Sequence, residues 1–141
     1  MNFRQDGFAM GATAIGYSDE KLPPQVLVVD DTKEIRDSIT IILRASGHGV
    51  IEAEDGLAAQ TILMNERPAL VISDLEMPVC DGWELLEYCH EQHPDVPVLI
   101  ISGAALGRRP EVERWAAGFL LKPFSLSRFR TEVQRLVLRA A

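Results

Sequence analysis

A doubly wound α/β fold built on a five-stranded parallel sheet is predicted for this chain by three observations. Short apolar runs recur along it, helical patterns separate them, and four of the runs end in a polar residue. These runs are Val26-Leu27-Val28-Val29, Leu70-Val71-Ile72-Ser73, Val98-Leu99-Ile100-Ile101 and Gly118-Phe119-Leu120-Leu121, mostly β-branched or leucine as strands buried on both faces tend to be. Asp30 with Asp31, Asp74, Ser102 and Lys122 follow them. In an open parallel sheet, ligands gather just outside the carboxyl ends of the strands. Three carboxylates, a hydroxyl and an ammonium are therefore expected to meet at one edge.

The elements follow in order. Residues 1–24 hold glycines, small residues and the Pro23-Pro24 pair without a sustained apolar period, which predicts a flexible extension ahead of a domain over 25–141. After the first strand, Ile35, Ile39, Ile42 and Leu43 mark one face of a helix ending near Gly47. Gly49 to Ala53 reads as the second strand. Asp55 caps a helix over Gly56 to Asn65 with Leu57, Ala58, Ile62 and Leu63 inward, and Pro68 turns the chain into the third strand. Asp81 with Glu84 forms a capping box for a helix over Trp83 to Gln92, and Pro94 and Pro97 bound its exit.

Gly107 and Pro110 limit the fourth helix to about Pro110 to Ala116, with proline at a favoured first position. Ser125 caps the last helix, whose stripe is Leu126, Phe129, Val133, Leu136 and Val137. Strand and helix alternate throughout. That alternation predicts a flavodoxin-like (βα)5 sheet in the order 2-1-3-4-5.

Composition narrows the function. The chain is 47% hydrophobic and 25% charged, with a formal net charge of -7, which argues against direct nucleic-acid binding through clustered bases. Residues 105–141 are nevertheless locally basic, carrying Arg108, Arg109, Arg114, Arg128, Arg130 and Arg135 against Glu111, Glu113 and Glu132. That basic stretch suits an acidic output partner, a second copy of the chain, or simply a solvated surface. Cys80 and Cys89 make neither a disulfide framework nor a zinc site, and reduced thiols in a cytoplasmic protein fit best. No apolar run approaches a membrane span, and no secretory leader pattern opens the chain.

Closely held carboxylates repel one another unless a cation lies among them. A hard divalent ion such as Mg²⁺ needs only two carboxylates and a carbonyl from the protein, because it keeps several waters. Asp30 and Asp31 also suit the plainer role of capping the first helix. Asp74 is followed by Glu76-Met77-Pro78 and Asp81-Gly82, a loop shaped by proline and glycine. A carboxylate beside a metal can attack phosphorus to form an aspartyl phosphate. Such transfer mostly needs positioning and charge neutralisation, for which Lys122, fixed by Pro123, is the natural cation. Ser102 has a hydroxyl to donate to a phosphoryl oxygen, although serines after strands often only satisfy loop backbone.

The set Val28-Val29-Asp30-Asp31, Asp74-Leu75-Glu76-Met77-Pro78 with Asp81-Gly82, Ser102-Gly103-Ala104 and Lys122-Pro123-Phe124 resembles the receiver domains of two-component response regulators over about residues 25–139. The resemblance implies a cytoplasmic phosphorelay protein of bacterial type, with Asp74 as phosphoacceptor from a phosphohistidine on a sensor histidine kinase or a histidine phosphotransfer protein. It implies Mg²⁺ (or Mn²⁺) bound by Asp31, Asp74 and the Glu76 backbone carbonyl, with Asp30 acting through water. Lys122 and Ser102 would hold the phosphoryl oxygens, and Ser102 with Phe119 would form the switch. Phe119 equally reads as a plain core aromatic. Self-phosphorylation and autodephosphorylation would accompany this, without turnover as an enzyme. The stretch from Ser102 to Lys122 departs from the family in being somewhat short, with Arg108-Arg109-Pro110 at the expected helix start.

Two other classes stand beside this reading. A haloacid-dehalogenase-type aspartyl phosphohydrolase also uses a strand-end Asp and needs an acid two residues later, where Glu76 stands one methylene longer. An interaction-only receiver would keep the site unused. Flavodoxin itself is disfavoured, since Asp30-Asp31-Thr32-Lys33-Glu34 places negative charge where a phosphate-binding loop belongs.

Overall fold

The computed structural model describes residues 23–103 and 109–140, so all but Pro23 and Pro24 of the expected N-terminal extension lies outside the described residues. The elements are β1 (Gln25–Val29), α1 (Lys33–Ala45), β2 (Gly49–Ala53), α2 (Gly56–Leu63), β3 (Leu70–Asp74), α3 (Gly82–Gln92), β4 (Val98–Ser102), α4 (Pro110–Glu113), β5 (Gly118–Leu121) and α5 (Leu126–Ala140). All four strand pairings are parallel, and the sheet runs β2-β1-β3-β4-β5, as the alternation predicts.

Because side chains alternate across a strand, each apolar run divides between two cores. Leu27, Val29, Val71, Val98 and Ile100 face α2, α3 and α4, where they pack with Leu63, Leu85, Leu86 and Cys89. Val26, Val28, Leu70, Ile72, Leu99 and Ile101 face α1 and α5, against Ile39, Leu43, Phe129, Val133 and Leu136. The central strands are therefore apolar on both sides.

Local chemistry sets the helix ends. Gly47, at φ 93°, follows α1, and the Gly47 and His48 amides donate to Arg44 and Leu43 carbonyls at 3.0 and 3.1 Å. This is the Schellman closure that a glycine past the helix end permits. The Ala58 amide donates to Asp55 Oδ1 at 2.8 Å, and the Arg128 amide to Ser125 Oγ at 3.0 Å. Asp81 and Glu84 make the expected reciprocal box, at 2.9 and 3.0 Å.

Four expectations need correction. Leu57 and Leu126 are exposed, at 55% and 46%: Leu57 falls on the side of α2 turned away from buried Ala59 and Leu63, and Leu126 is the first residue of α5. On α2, Gly56, Ala59 and Leu63 are buried while Ala58 and Ile62 pack half-buried against the same core as expected, and that helix ends two residues short of Asn65. Helix α4 is a single turn over Pro110–Glu113 rather than reaching Ala116. The Ala117 amide must pair with the Val98 carbonyl, at 2.8 Å, to start β5, and this draws the chain out of the helix early. Thr32, not an aspartate, holds the N-cap position of α1.

One glycine couples this frame to the edge where the acids lie. The Gly82 amide donates to the Leu75 carbonyl at 2.9 Å, and a Cβ on Gly82 would collide with the Asp74 carbonyl oxygen and lie 2.7 Å from Leu75 Cα. Both obstacles are backbone and cannot swing aside. Gly82→Ala is expected to cost about 1–3 kcal/mol in chemical denaturation, as overpacking does. Gly103→Ala, whose Cβ would meet Lys122 Cδ and Cβ at an ordinary 3.9 and 4.0 Å, should stay within about 0.5 kcal/mol of the parent. Equal stability of the two variants would refute the close approach.

Candidate functional site

Strand register brings the acids together. Val29 pairs with Ser73, so Asp30 follows β1 beside Asp74 at the end of β3, where the strand order reverses. One carboxylate oxygen each from Asp30, Asp31 and Asp74 lie within 4.8 Å of one another. On the far side, Asp74 pairs with Ile101, Ser102 pairs with Leu121, and the Lys122 amide donates to the Ser102 carbonyl at 2.9 Å. Lys122 Nζ then reaches to 3.9 Å from Asp74 Oδ1. Five residues from the ends of four strands share one edge.

Backbone groups orient the carboxylates. The Thr32 amide donates to Asp30 Oδ1 at 2.8 Å, turning that side chain back on its own loop rather than onto the first helical turn. The Leu75 amide donates to Asp74 Oδ1 at 2.8 Å. Asp30 and Ser102 are buried, Asp74 is nearly so, and Asp31 is exposed. The loop between β3 and α3 carries Val79 at φ 70°, a left-handed conformation costly for a β-branched residue. Pro78 and Gly82 flank it, and the Lys122–Pro123 peptide is cis.

The electrostatics follow from that burial. Desolvation raises the Asp74 carboxyl above its ordinary range; Lys122 opposes the rise, Asp30 adds to it, and the Leu75 and Glu76 amides oppose it. Burial likewise raises Asp30, against the Thr32 amide and Lys122. One ammonium thus faces three carboxylates. Oxygen donors at this spacing fit a hard divalent cation such as Mg²⁺, which would neutralise the surplus and leave coordination positions for water or substrate.

Sequence reasoning missed one participant, Arg36. Its Nη1 donates to the Asp30 carbonyl at 2.7 Å and its Nε pairs with Glu52 Oε1 at 3.3 Å. Phe119 is half-buried against the cluster beneath α3 and α4, as a core aromatic would be. Several of the basic residues have local partners. Arg109 pairs with Glu111 at 3.3 Å, Arg135 pairs with Glu132 at 2.8 Å, and Arg114 lies 5.5 Å from the Trp115 ring. Arg130 lines a cavity with Pro24 and His48, between α1 and α5. Ala104 and Arg108 lie outside the described residues.

An open parallel sheet whose β1 and β3 ends gather acids beside a strand-end lysine defines a response regulator receiver domain. A family model described as "Response regulator receiver domain" matches residues 26–134, and the chain belongs to that family, of two-component signalling. It is 30% identical over 122 residues to response regulator MprA of Mycobacterium sp. (strain KMS), covering 85% of this chain and 53% of that protein. The chain thus spans about half the length of the curated relatives it matches. Among solved structures, response regulator TrrA of Thermotoga maritima in complex with Mg(2+)-BeF superposes with a TM-score of 0.75 at 26% identity, covering 80% of this chain and 98% of that one. A CheY-like receiver domain protein of Methanospirillum hungatei JF-1 reaches 0.79 at 24% identity, over 84% and 96%, a likeness of fold. Among the described residues no helix is long and apolar enough to cross a membrane.

The pH dependence has a definite sign. A carboxyl whose folded pKa is raised binds its proton more tightly folded than unfolded, so its stabilising contribution is present below the unfolded pKa of 3.8 and is lost as pH climbs through the folded value. In metal-free neutral buffer Asp30→Asn and Asp74→Asn should each raise the melting temperature by a few degrees, a gain that vanishes toward pH 4. Mg²⁺ should raise the parent's melting temperature by mass action and leave Asp74→Asn almost unmoved. Calorimetric melts at two pH values, with and without Mg²⁺, check both statements.

Proposed function

We propose that Asp74 is the phosphoacceptor of a two-component signalling switch. The observation that carries this reading is the position of Asp74 between two further carboxylates and the ammonium of Lys122. The donor is a phosphohistidine on a sensor histidine kinase or a histidine phosphotransfer protein. A carboxylate oxygen of Asp74 forms the new P–O bond as the donor P–N bond breaks, and the imidazole leaves with the bonding pair.

Asp31, Asp74 and the Glu76 carbonyl would hold Mg²⁺ (or Mn²⁺), with Asp30 acting through water. Bound there, the cation supplies charge neutralisation and an anchor for the phosphoryl oxygens. The Leu75 amide keeps the nucleophilic carboxylate aimed. Lys122 closes on a phosphoryl oxygen from its present 3.9 Å, and Ser102 takes another, with Phe119 following its movement. The charge change is thereby passed to a protein-binding surface that includes the short α4 and β5. The Glu76 side chain is exposed rather than buried over Asp74, which disfavours a phosphohydrolase using it as general acid. In this reading residues 25–141 are the receiver unit, residues 1–24 precede it as an extension, and the protein works in the cytoplasm.

Incubation with a small acyl phosphate and Mg²⁺ should add one phosphoryl group, read by intact mass, and the adduct should decay on standing. Asp74→Ala should take none, and Lys122→Ala should slow the addition by roughly 10²-fold, the usual loss when a preorganised charge partner is removed. An undiminished adduct in Asp74→Ala, or none on the parent, contradicts the assignment.

A further inference from the structure

Arg36 stands apart from the acids yet is tied to them through the backbone. Its guanidinium spans three elements, rising from α1 to donate to the Asp30 carbonyl at 2.7 Å and to pair with Glu52 of β2 at 3.3 Å. The arginine side chain is only 15% exposed, while Glu52, at 33%, meets it from the solvent side. Here the planar fork of arginine serves two acceptors at once, which a single ammonium cannot do in the same way.

The carbonyl it holds belongs to the peptide joining Asp30 to Asp31. A hydrogen bond from a charged donor is among the stronger ones, and rotating that peptide would break it. The same turn is fixed again where the Thr32 amide meets Asp30 Oδ1 at 2.8 Å, and the Asp30 amide itself donates to the Ala53 carbonyl of β2 at 3.2 Å. Asp31 is exposed and lacks a comparable hold of its own among the described bonds. Its direction is therefore set by the peptide that Arg36 pins.

We propose that Arg36 is a positioning residue for divalent-cation binding: by clamping the Asp30 carbonyl against β2 it presents Asp31 toward Asp30 and Asp74, without touching the cation. The inference rests on the metal-dependent reading above. Charge and position make opposite predictions for it. As a nearby positive charge alone, Arg36 would repel the cation, and its removal would tighten binding; as a clamp, its removal loosens Asp31 and weakens binding.

The test is calorimetric titration of the full chain with Mg²⁺ at neutral pH, on the parent, Arg36→Met and Arg36→Lys, with thermal melts of each in metal-free buffer. Both variants should bind Mg²⁺ about tenfold more weakly, as loss of a group supporting a metal ligand does. Glu52→Gln, which leaves the carbonyl bond in place, should lose less than either. If Arg36→Met does not fold, Arg36→Lys carries the comparison, since it keeps the charge but not the fork. Unchanged or tighter binding in the folded variants overturns the proposal, including the case where only the melting temperature falls. A parent that binds no Mg²⁺ overturns the phosphoacceptor reading together with it.

Discussion

The pairing of β1 with β3 governs what happens at the carboxyl edge of the sheet. Val29 lies opposite Ser73, so the next residue on each strand is an aspartate, and the two carboxylates leave the sheet side by side. A slip of one residue would exchange the faces of the whole strand, sending Leu27 and Val29 into the core under α1 and α5 and Val26 and Val28 out of it. The register that fills both cores is thus the same register that brings the acids together. Packing and site cannot be altered independently here.

That coupling has an energetic consequence. Asp30 and Asp74 are held where burial disfavours their charge, and Lys122 with a few backbone amides offsets only part of the cost. A cation bound there would offset that cost, and a phosphoryl group on Asp74 would add negative charge beside Lys122. Gly82 and Arg36 play the mechanical part. The glycine lets α3 begin against the Asp74 carbonyl, and the arginine fastens the Asp30–Asp31 turn to β2.

Much of this was legible in the sequence because parallel strands all end at one edge, so a polar residue closing each apolar run marks a shared place. Asp30, Asp31, Asp74 and Lys122 were found that way, as were the caps at Asp55, Asp81 and Ser125, whose chemistry is local. What escaped depended on tertiary reach. Arg36 looks like an ordinary helix-surface arginine until Glu52 and the Asp30 carbonyl are seen on either side of it. Leu57 and Leu126 were placed on apolar stripes, yet both are exposed, one on the outer side of α2 and the other at the first residue of α5. The length of α4 is set by the β5 ladder, and Arg109 and Arg135 pair with their own neighbours Glu111 and Glu132, neither of which periodicity records.

The central claim is that this edge accepts a phosphoryl group on Asp74 with a divalent cation beside it. A crystal structure of the protein grown with Mg²⁺ and beryllium fluoride, a tetrahedral phosphoryl mimic, tests it most directly. The account predicts beryllium bonded to an Asp74 carboxylate oxygen, Mg²⁺ ligated by Asp31 and Asp74, and Lys122 Nζ moved into hydrogen-bond distance of a fluoride. Beryllium fluoride bound elsewhere, or an Asp74 left bare under saturating conditions, would contradict it.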